Sequence, residues 1–184
     1  MKNLHKIKGD ASFRSFFRKK NNKLNSIIVF SKKEKYKNLL VYDAINKIFI
    51  KNKILAPKLY EENYNKNFLE IQDFGNDTIF KVLKKKNDKK FFYFKKIINL
   101  LNQIQLIKSR RQKDFKKKIF TVPKYDKKIL LKEANLFCKW YLKKYLSKNK
   151  RDKFTKKFQK IVKKLSLNLK LRNNIFVHRD FHVS

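Results

Sequence analysis

The apolar residues of this 184-residue chain pass from mostly short extended runs to mostly helical spacing after Asp73-Phe74-Gly75, and that shift points to a mixed fold class. Upstream, the pattern is one of short extended runs. Leu4 to Lys8 alternates, Gly9-Asp-Ala-Ser12 reads as a turn, and Phe13 to Lys19 resumes the extended pattern. Asn21-Asn22 is a turn signal, and Ser26-Ile-Ile-Val-Phe30 is β-branched and bounded, as a strand is. Between Tyr36 and Ile50 the spacing becomes helical, with Leu40, Ala44 and Ile48 on one face and Val41 and Ile45 beside them. Ile54-Leu-Ala-Pro57 closes that helix, and Lys58 to Tyr64 with Phe68 to Gln72 predicts a hairpin pair. Downstream, helices dominate. Phe91 to Ile107 carries Phe94, Ile97, Ile98, Leu101 and Ile104 at helical steps. Residues 109–119 are polar and basic and are expected to form a loop. Tyr125 to Leu146 predicts a long helix, with Asp126 as N-cap, Leu130, Phe137, Tyr141 and Tyr145 aligned, and Trp140 beside them. A basic helix follows from about Lys153 to Leu165, and Ile175-Phe-Val177 is expected to be a short strand. The class is α+β, with a β-rich segment at 1–75 and a helical one at 76–184.

Charge is the most conspicuous feature and a weak guide. The chain has 51 Lys+Arg against 14 Asp+Glu, for a net charge of +37. Such a chain attracts polyanions whether or not it evolved to bind them. The abundance of Lys, Asn, Ile, Phe and Tyr, with two Gly and two Pro, matches A/T-rich codons and points to genomic bias. Lys is also spread along the chain, whereas nucleic-acid binders more often gather it in a patch or tail. No specific nucleic-acid partner is expected. Cys138 is the single cysteine, so no intramolecular disulfide forms, which fits a reducing compartment, and a buried structural thiol is its expected role. No apolar run reaches the length of a membrane span, and Met1 to Lys8 lacks the core of a signal peptide. The expected location is cytoplasmic, with no membrane partner.

Three segments carry possible chemistry. His178-Arg-Asp-Phe-His182 follows an apolar run, the context of a phosphotransferase catalytic loop. There the aspartate, Asp180, accepts or orients the proton of the substrate hydroxyl, and an asparagine five residues on binds the metal. That spacing points to position 185, just past Ser184. Two other readings stand beside it. Asp180 is a turn cap in one; in the other His178, Asp180 and His182 share a strand face and ligate a metal. Gly9-Asp10-Ala11-Ser12 lies between two expected strands, where a small turn lets backbone N–H groups approach phosphate oxygens; a plain β-turn is the alternative. Leu69-Glu-Ile-Gln-Asp-Phe-Gly75 sits at the junction of the two halves, where Glu70 and Gln72 would bring backbone groups to a nucleotide base, or where a strand simply ends.

Gly9 to Arg18, reading GDASFRSFFR, resembles the GDASFRRYFR opening of the N-acetylmuramate/N-acetylglucosamine anomeric kinases, members of the aminoglycoside-phosphotransferase-like group. Phe68 to Gly75 is similar to their FLLLEDLG segment. Pro123-Lys-Tyr-Asp126 with Glu133, Leu136-Phe137 and Trp140-Tyr-Leu142 is similar to their PYD helix, and Val177 to His182 to their VHRDYH loop. The resemblance implies a protein-kinase-like fold with a small β-rich nucleotide-binding lobe and an incomplete helical lobe. It implies ATP-dependent phosphorylation of a sugar hydroxyl in cell-wall sugar salvage, with Asp180 as base and Gly9 to Ser12 over the phosphates. Glu133, Trp140, Tyr141 and His182 become the candidate sugar contacts. Mg²⁺ would accompany ATP, with its ligands expected after residue 184, so little phosphotransfer is expected from these residues alone. Departures are present too: Phe30 stands where many kinases carry a third-strand lysine. Another phosphotransferase of the same group, acting on choline, an aminoglycoside or a different sugar, is the nearest alternative. A non-catalytic basic protein binding nucleic acid is the alternative of a different class.

Overall fold

The computed structural model describes residues 4–7, 14–21, 24–32, 38–85, 89–170 and 175–181. The chain divides into two compact units, residues 1–122 with 178–184, and residues 123–177.

The first unit is built on a five-stranded antiparallel sheet. Its strands are β1 (Leu4–Ile7), β2 (Ser15–Lys19), β3 (Ser26–Phe30), β4 (Leu59–Asn63) and β5 (Phe68–Gln72), in spatial order β1-β2-β3-β5-β4. β3 and β5 are central because they hold the β-branched and aliphatic residues. Ile27 and Val29 pair with Ile71 and Leu69 in register, and all four are buried. The period-two pleat puts these four on one face, where helix α1 (Asn38–Lys51) lays Leu39 against them. Phe16, Tyr42, Leu59, Tyr64 and Phe115 close the rim of this core. The expected face of α1 is the one observed: Leu40, Ala44 and Ile48 are buried together with Leu39 and Asp43.

A 3₁₀ turn, Tyr64–Lys66, joins β4 to β5. The Asn63 side chain accepts from the Lys66 N–H at 3.2 Å, and Asn67 adopts a left-handed φ of 60° that asparagine tolerates better than most residues. Phe30 lies on the sheet face opposite α1, because the alternation that buries Val29 turns its neighbour away. A lysine at that position would not have faced the helix.

After β5 come α2 (Ile79–Lys85) and α3 (Lys90–Gln105). Of the apolar stripe expected along α3, only Ile104 is fully buried; Phe94 and Ile98 are exposed. Residues 109–119 were expected as loop, and here the structure corrects the reading. Arg111–Lys113 (β6) pairs with Ile119–Thr121 (β7) in an antiparallel hairpin. Its turn is organised by Asp114, whose N–H donates to the Lys118 carbonyl at 2.9 Å and whose carboxylate accepts from the Lys118 N–H at 3.0 Å. Within the paired strands only Gln112 and Phe120, which face one another, are half-buried, so the short Arg-Gln-Lys run of β6 carries no apolar alternation to mark it.

The second unit holds α4 (Lys127–Leu136), a π-helical turn (Phe137–Tyr141), α5 (Leu142–Tyr145) and α6 (Lys148–Leu167). Asp126 caps α4 as expected, its carboxylate accepting from the Ile129 N–H at 2.9 Å. The expected helix to Leu146 is therefore present but carries a one-turn widening at Phe137–Tyr141. α6 begins earlier than its apolar spacing suggests because Lys148 to Asp152 are polar helix residues with no core-facing role to mark them. Residues 175–177 form no strand, against expectation: Phe176 is buried, but Arg179 takes a φ of 71° that turns the chain away from extension. An apolar run of that length can plug a core without pairing in a sheet. Among the described residues no helix is long and apolar enough to cross a membrane.

Because Leu69 has no exposed surface and sits between Val29 and Leu39, Leu69→Ala is expected to remove about 2–5 kcal/mol of unfolding free energy. Urea denaturation checks this: the midpoint should fall at unchanged slope.

Candidate functional site

The segment leaving β5 is held by one side chain. Arg18, on β2, points to the α1 side of the sheet and reaches over the start of β3 to Asp73. Its Nε donates to Asp73 Oδ2 at 2.5 Å and its Nη2 to Oδ1 at 3.0 Å, a two-pronged pair that matches the guanidinium fork to the carboxylate. Nη1 donates to the Asn76 side chain and Nη2 to the Gly75 carbonyl at 3.0 Å. Asp73 completes the knot by accepting the Gly75 N–H at 2.8 Å, and Gly75 takes a φ of 83° that glycine adopts without strain. The Arg18 hydrogen bonds hold the Asp73 carboxyl below the usual carboxylate range, outweighing the opposing effect of its burial.

On the opposite face, Glu70 is the centre of a second cluster. It accepts from Ser26 Oγ at 2.5 Å and from Lys19 Nζ at 2.9 Å. Burial pushes the Glu70 carboxyl up, but the hydrogen bonds from Ser26 and Lys19 together hold it below its ordinary value. The Gln72 N–H donates to the Lys58 carbonyl at 2.9 Å. The side chain of Glu70 is thus engaged within the sheet, and the peptide N–H of Gln72 is engaged with the chain entering β4.

Asp180 is exposed, in a stretch that is neither helix nor strand. The left-handed turn at Arg179 precedes it, and His178 is stacked on Phe49 of α1 with ring centroids 6.4 Å apart and planes within 9°. Phe181 meets His178 edge-on at 5.3 Å. This segment is therefore anchored to α1 through His178, with Phe181 folded back onto the same imidazole. Gly9, Asp10, Ala11, Ser12 and His182 lie outside the described residues.

Glu133, Trp140 and Tyr141 belong to the second unit. Glu133 is half-buried and accepts a 2.6 Å hydrogen bond from the Tyr125 hydroxyl, eight residues earlier on the α4 approach. Trp140 is largely exposed, with Lys139 Nζ over its ring at 5.7 Å. Tyr141 stacks on Phe137 at 5.2 Å and meets Tyr145 at a tilt of 42°, with centroids 4.8 Å apart. A groove of about 770 Å³ runs beside α4 and α6, lined among others by Lys128, Leu131, Asn135, Cys138 and Thr155. The three candidate sugar contacts are not among its lining residues. Cys138 is buried and unpaired, as its isolation in the sequence implies.

The Arg18–Asp73 pair is not legible in the order of residues. Both residues fall inside segments singled out for other reasons, but a contact across 55 positions leaves no periodic or local signal. Tyr125 was likewise visible only as part of a block, not as the partner of Glu133.

No family model matches the chain. It is 24% identical over 174 residues to a protein of Neisseria meningitidis serogroup B named N-acetylmuramate/N-acetylglucosamine kinase. The match covers 95% of this chain, which spans about half (49%) of that relative's length.

The sheltered carboxylates of the first unit titrate with two opposite signs. Asp73 and Glu70 have folded values below their unfolded ones, so their stabilisation is present above about pH 4 and is lost as pH falls through the folded values. Asp43, raised by burial against the opposing pull of Lys47, behaves in reverse: stability falls as pH rises from about 4 through its folded value. Asp73→Asn should flatten the acid limb of a stability-against-pH curve below about pH 4, and Asp43→Asn the segment just above it. Urea midpoints measured from pH 2 to 7 test both signs.

Proposed function

We propose that this chain carries the nucleotide-binding lobe, residues 1–75, and part of the helical lobe, residues 76–184, of an ATP-dependent sugar kinase. The observation that carries the reading is the Val177 to Phe181 segment. Asp180 stands exposed on a turned, non-regular stretch anchored to α1 by the His178–Phe49 stack. The similarity of 95% of the chain to a protein named as a kinase of N-acetylated sugars supports the same class of substrate.

In this reading Asp180 accepts the proton of the sugar hydroxyl as that oxygen bonds to the γ-phosphorus. The bond from the γ-phosphorus to the bridging oxygen breaks, and ADP leaves. Gly9 to Ser12 lies over the phosphates, and the β5 strand bearing Glu70 and Gln72 ends beside the base. Glu133, its carboxylate aimed by the Tyr125 hydroxyl, meets sugar hydroxyls, with Trp140, Tyr141 and His182 as the remaining contacts. Phosphoryl transfer of this kind uses Mg²⁺, held by one or two carboxylates together with phosphate oxygens. Asp180 alone does not make that site. Among the described residues no group of three metal-ligating side chains is gathered. An activity drawing on ATP and salvaged sugars belongs in the cytoplasm.

The test is ADP release by the full natural chain, supplied with ATP and N-acetylmuramate, N-acetylglucosamine, choline or an aminoglycoside in turn. Asp180→Asn should lower kcat by about 10²–10⁴-fold while leaving ATP affinity nearly unchanged. Turnover with choline or an aminoglycoside alone would move the substrate class. Polyanion binding that falls steeply with salt and ignores nucleotide, with no turnover on any substrate, would sink the kinase reading in favour of a basic binding protein.

A further inference from the structure

Resting on the kinase reading, we infer that Arg18 is a positioning residue for the nucleotide base, acting through the segment Asp73 to Asn76. Its guanidinium engages three residues of that segment at once: the Asp73 carboxylate, the Gly75 carbonyl and the Asn76 side-chain amide. The two charged partners are sheltered, with 16% and 6% of their side-chain surfaces exposed, so water competes weakly for their hydrogen bonds. Lysine cannot replace this fork, because one ammonium cannot meet two carboxylate oxygens and a carbonyl in a fixed plane.

The arrangement has a direct consequence. Both peptide groups of Gly75 are consumed inside the knot, the N–H on Asp73 and the carbonyl on Arg18. A base approaching the end of β5 is therefore met by the peptide groups of Asp73 and Phe74, whose direction the knot sets.

The experiment is a fluorescence titration of the 184-residue chain with N-methylanthraniloyl-ATP, competed in turn by ATP, GTP and inorganic tripolyphosphate. Tripolyphosphate separates base recognition from the attraction that a +37 chain exerts on any polyanion. Arg18→Lys and Asp73→Asn keep side-chain volume and are measured beside Arg18→Ala, with thermal melts reporting the folded fraction. Each folded variant is expected to weaken ATP about tenfold. The ratio of ATP to GTP affinity should fall towards one, while tripolyphosphate competes as before. The swap Arg18→Asp with Asp73→Arg should recover part of that ratio. Folded variants that keep the wild-type ratio would overturn the inference while leaving the kinase reading intact. Unfolding of all three single variants would assign the knot to stability alone and also overturn it. A wild-type chain from which tripolyphosphate displaces the probe as well as ATP does would remove the nucleotide reading and the inference with it.

Discussion

Everything in the first unit hangs on the seam between β3 and β5. Val29 and Leu69 face one another in register with no exposed surface, and Leu39 of α1 closes over them. Burying such side chains contributes about 1.5–3 kcal/mol each, and these lie where the sheet order places strands from both ends of the unit side by side. β5 can enter between β3 and β4 only because α1 carries the chain across to the far edge first. The segment Asp73 to Asn76 then emerges at the end of the most buried strand, so its position is inherited from the core.

The scarcity of acidic residues gives each one unusual weight. With 51 basic groups on the chain, self-repulsion opposes compaction, and lysines are accommodated mainly by staying in solvent. The carboxylates that are sheltered sit at joints. Asp73 ties β2 to the β5 exit, Glu70 ties β2 and β3 to β5, and Asp114 closes a hairpin turn. Asp126 starts α4, and Glu133 holds Tyr125 to it. Asp43 is the costly member, buried beside Lys47 and within reach of the Asp114 charge. Most of these groups contribute through hydrogen bonds to neighbours rather than through net attraction, which exposed pairs supply only weakly.

The same logic separates the strong from the weak parts of the candidate site. The β5 exit and the Val177 to Phe181 segment are pinned by named contacts on sheet and helix. The aromatic side chains of the second unit are not pinned in that way. Trp140 and Tyr145 expose about two-thirds of their surface, and Phe137, Tyr141 and Phe154 expose two-fifths or more. The π-helical turn at Phe137–Tyr141 lies at the centre of that cluster, and such turns recur at functional positions.

Much of the architecture was legible in the order of residues. The bounds of β3 and β5, the buried face of α1, the Asp126 cap and the isolation of Cys138 follow from local pattern, because pleat, helical period and cap chemistry act over a few residues. The β6–β7 hairpin escaped because β6 is polar and three residues long, with only Gln112 paired to a half-buried Phe120, and the turn at Arg179 because one backbone angle outweighs an apolar run that lacks a pairing strand. The identity of Asp180 and of the segment ending in Gly75 belonged to the sequence. Which residue holds that segment in place did not, because the Arg18–Asp73 pair spans 55 positions and exists only once β5 has been laid beside β3. Local order of residues determined most of the elements and the candidate groups. The tertiary fold decided their alignment, because only long-range packing brings a guanidinium and a carboxylate into one plane.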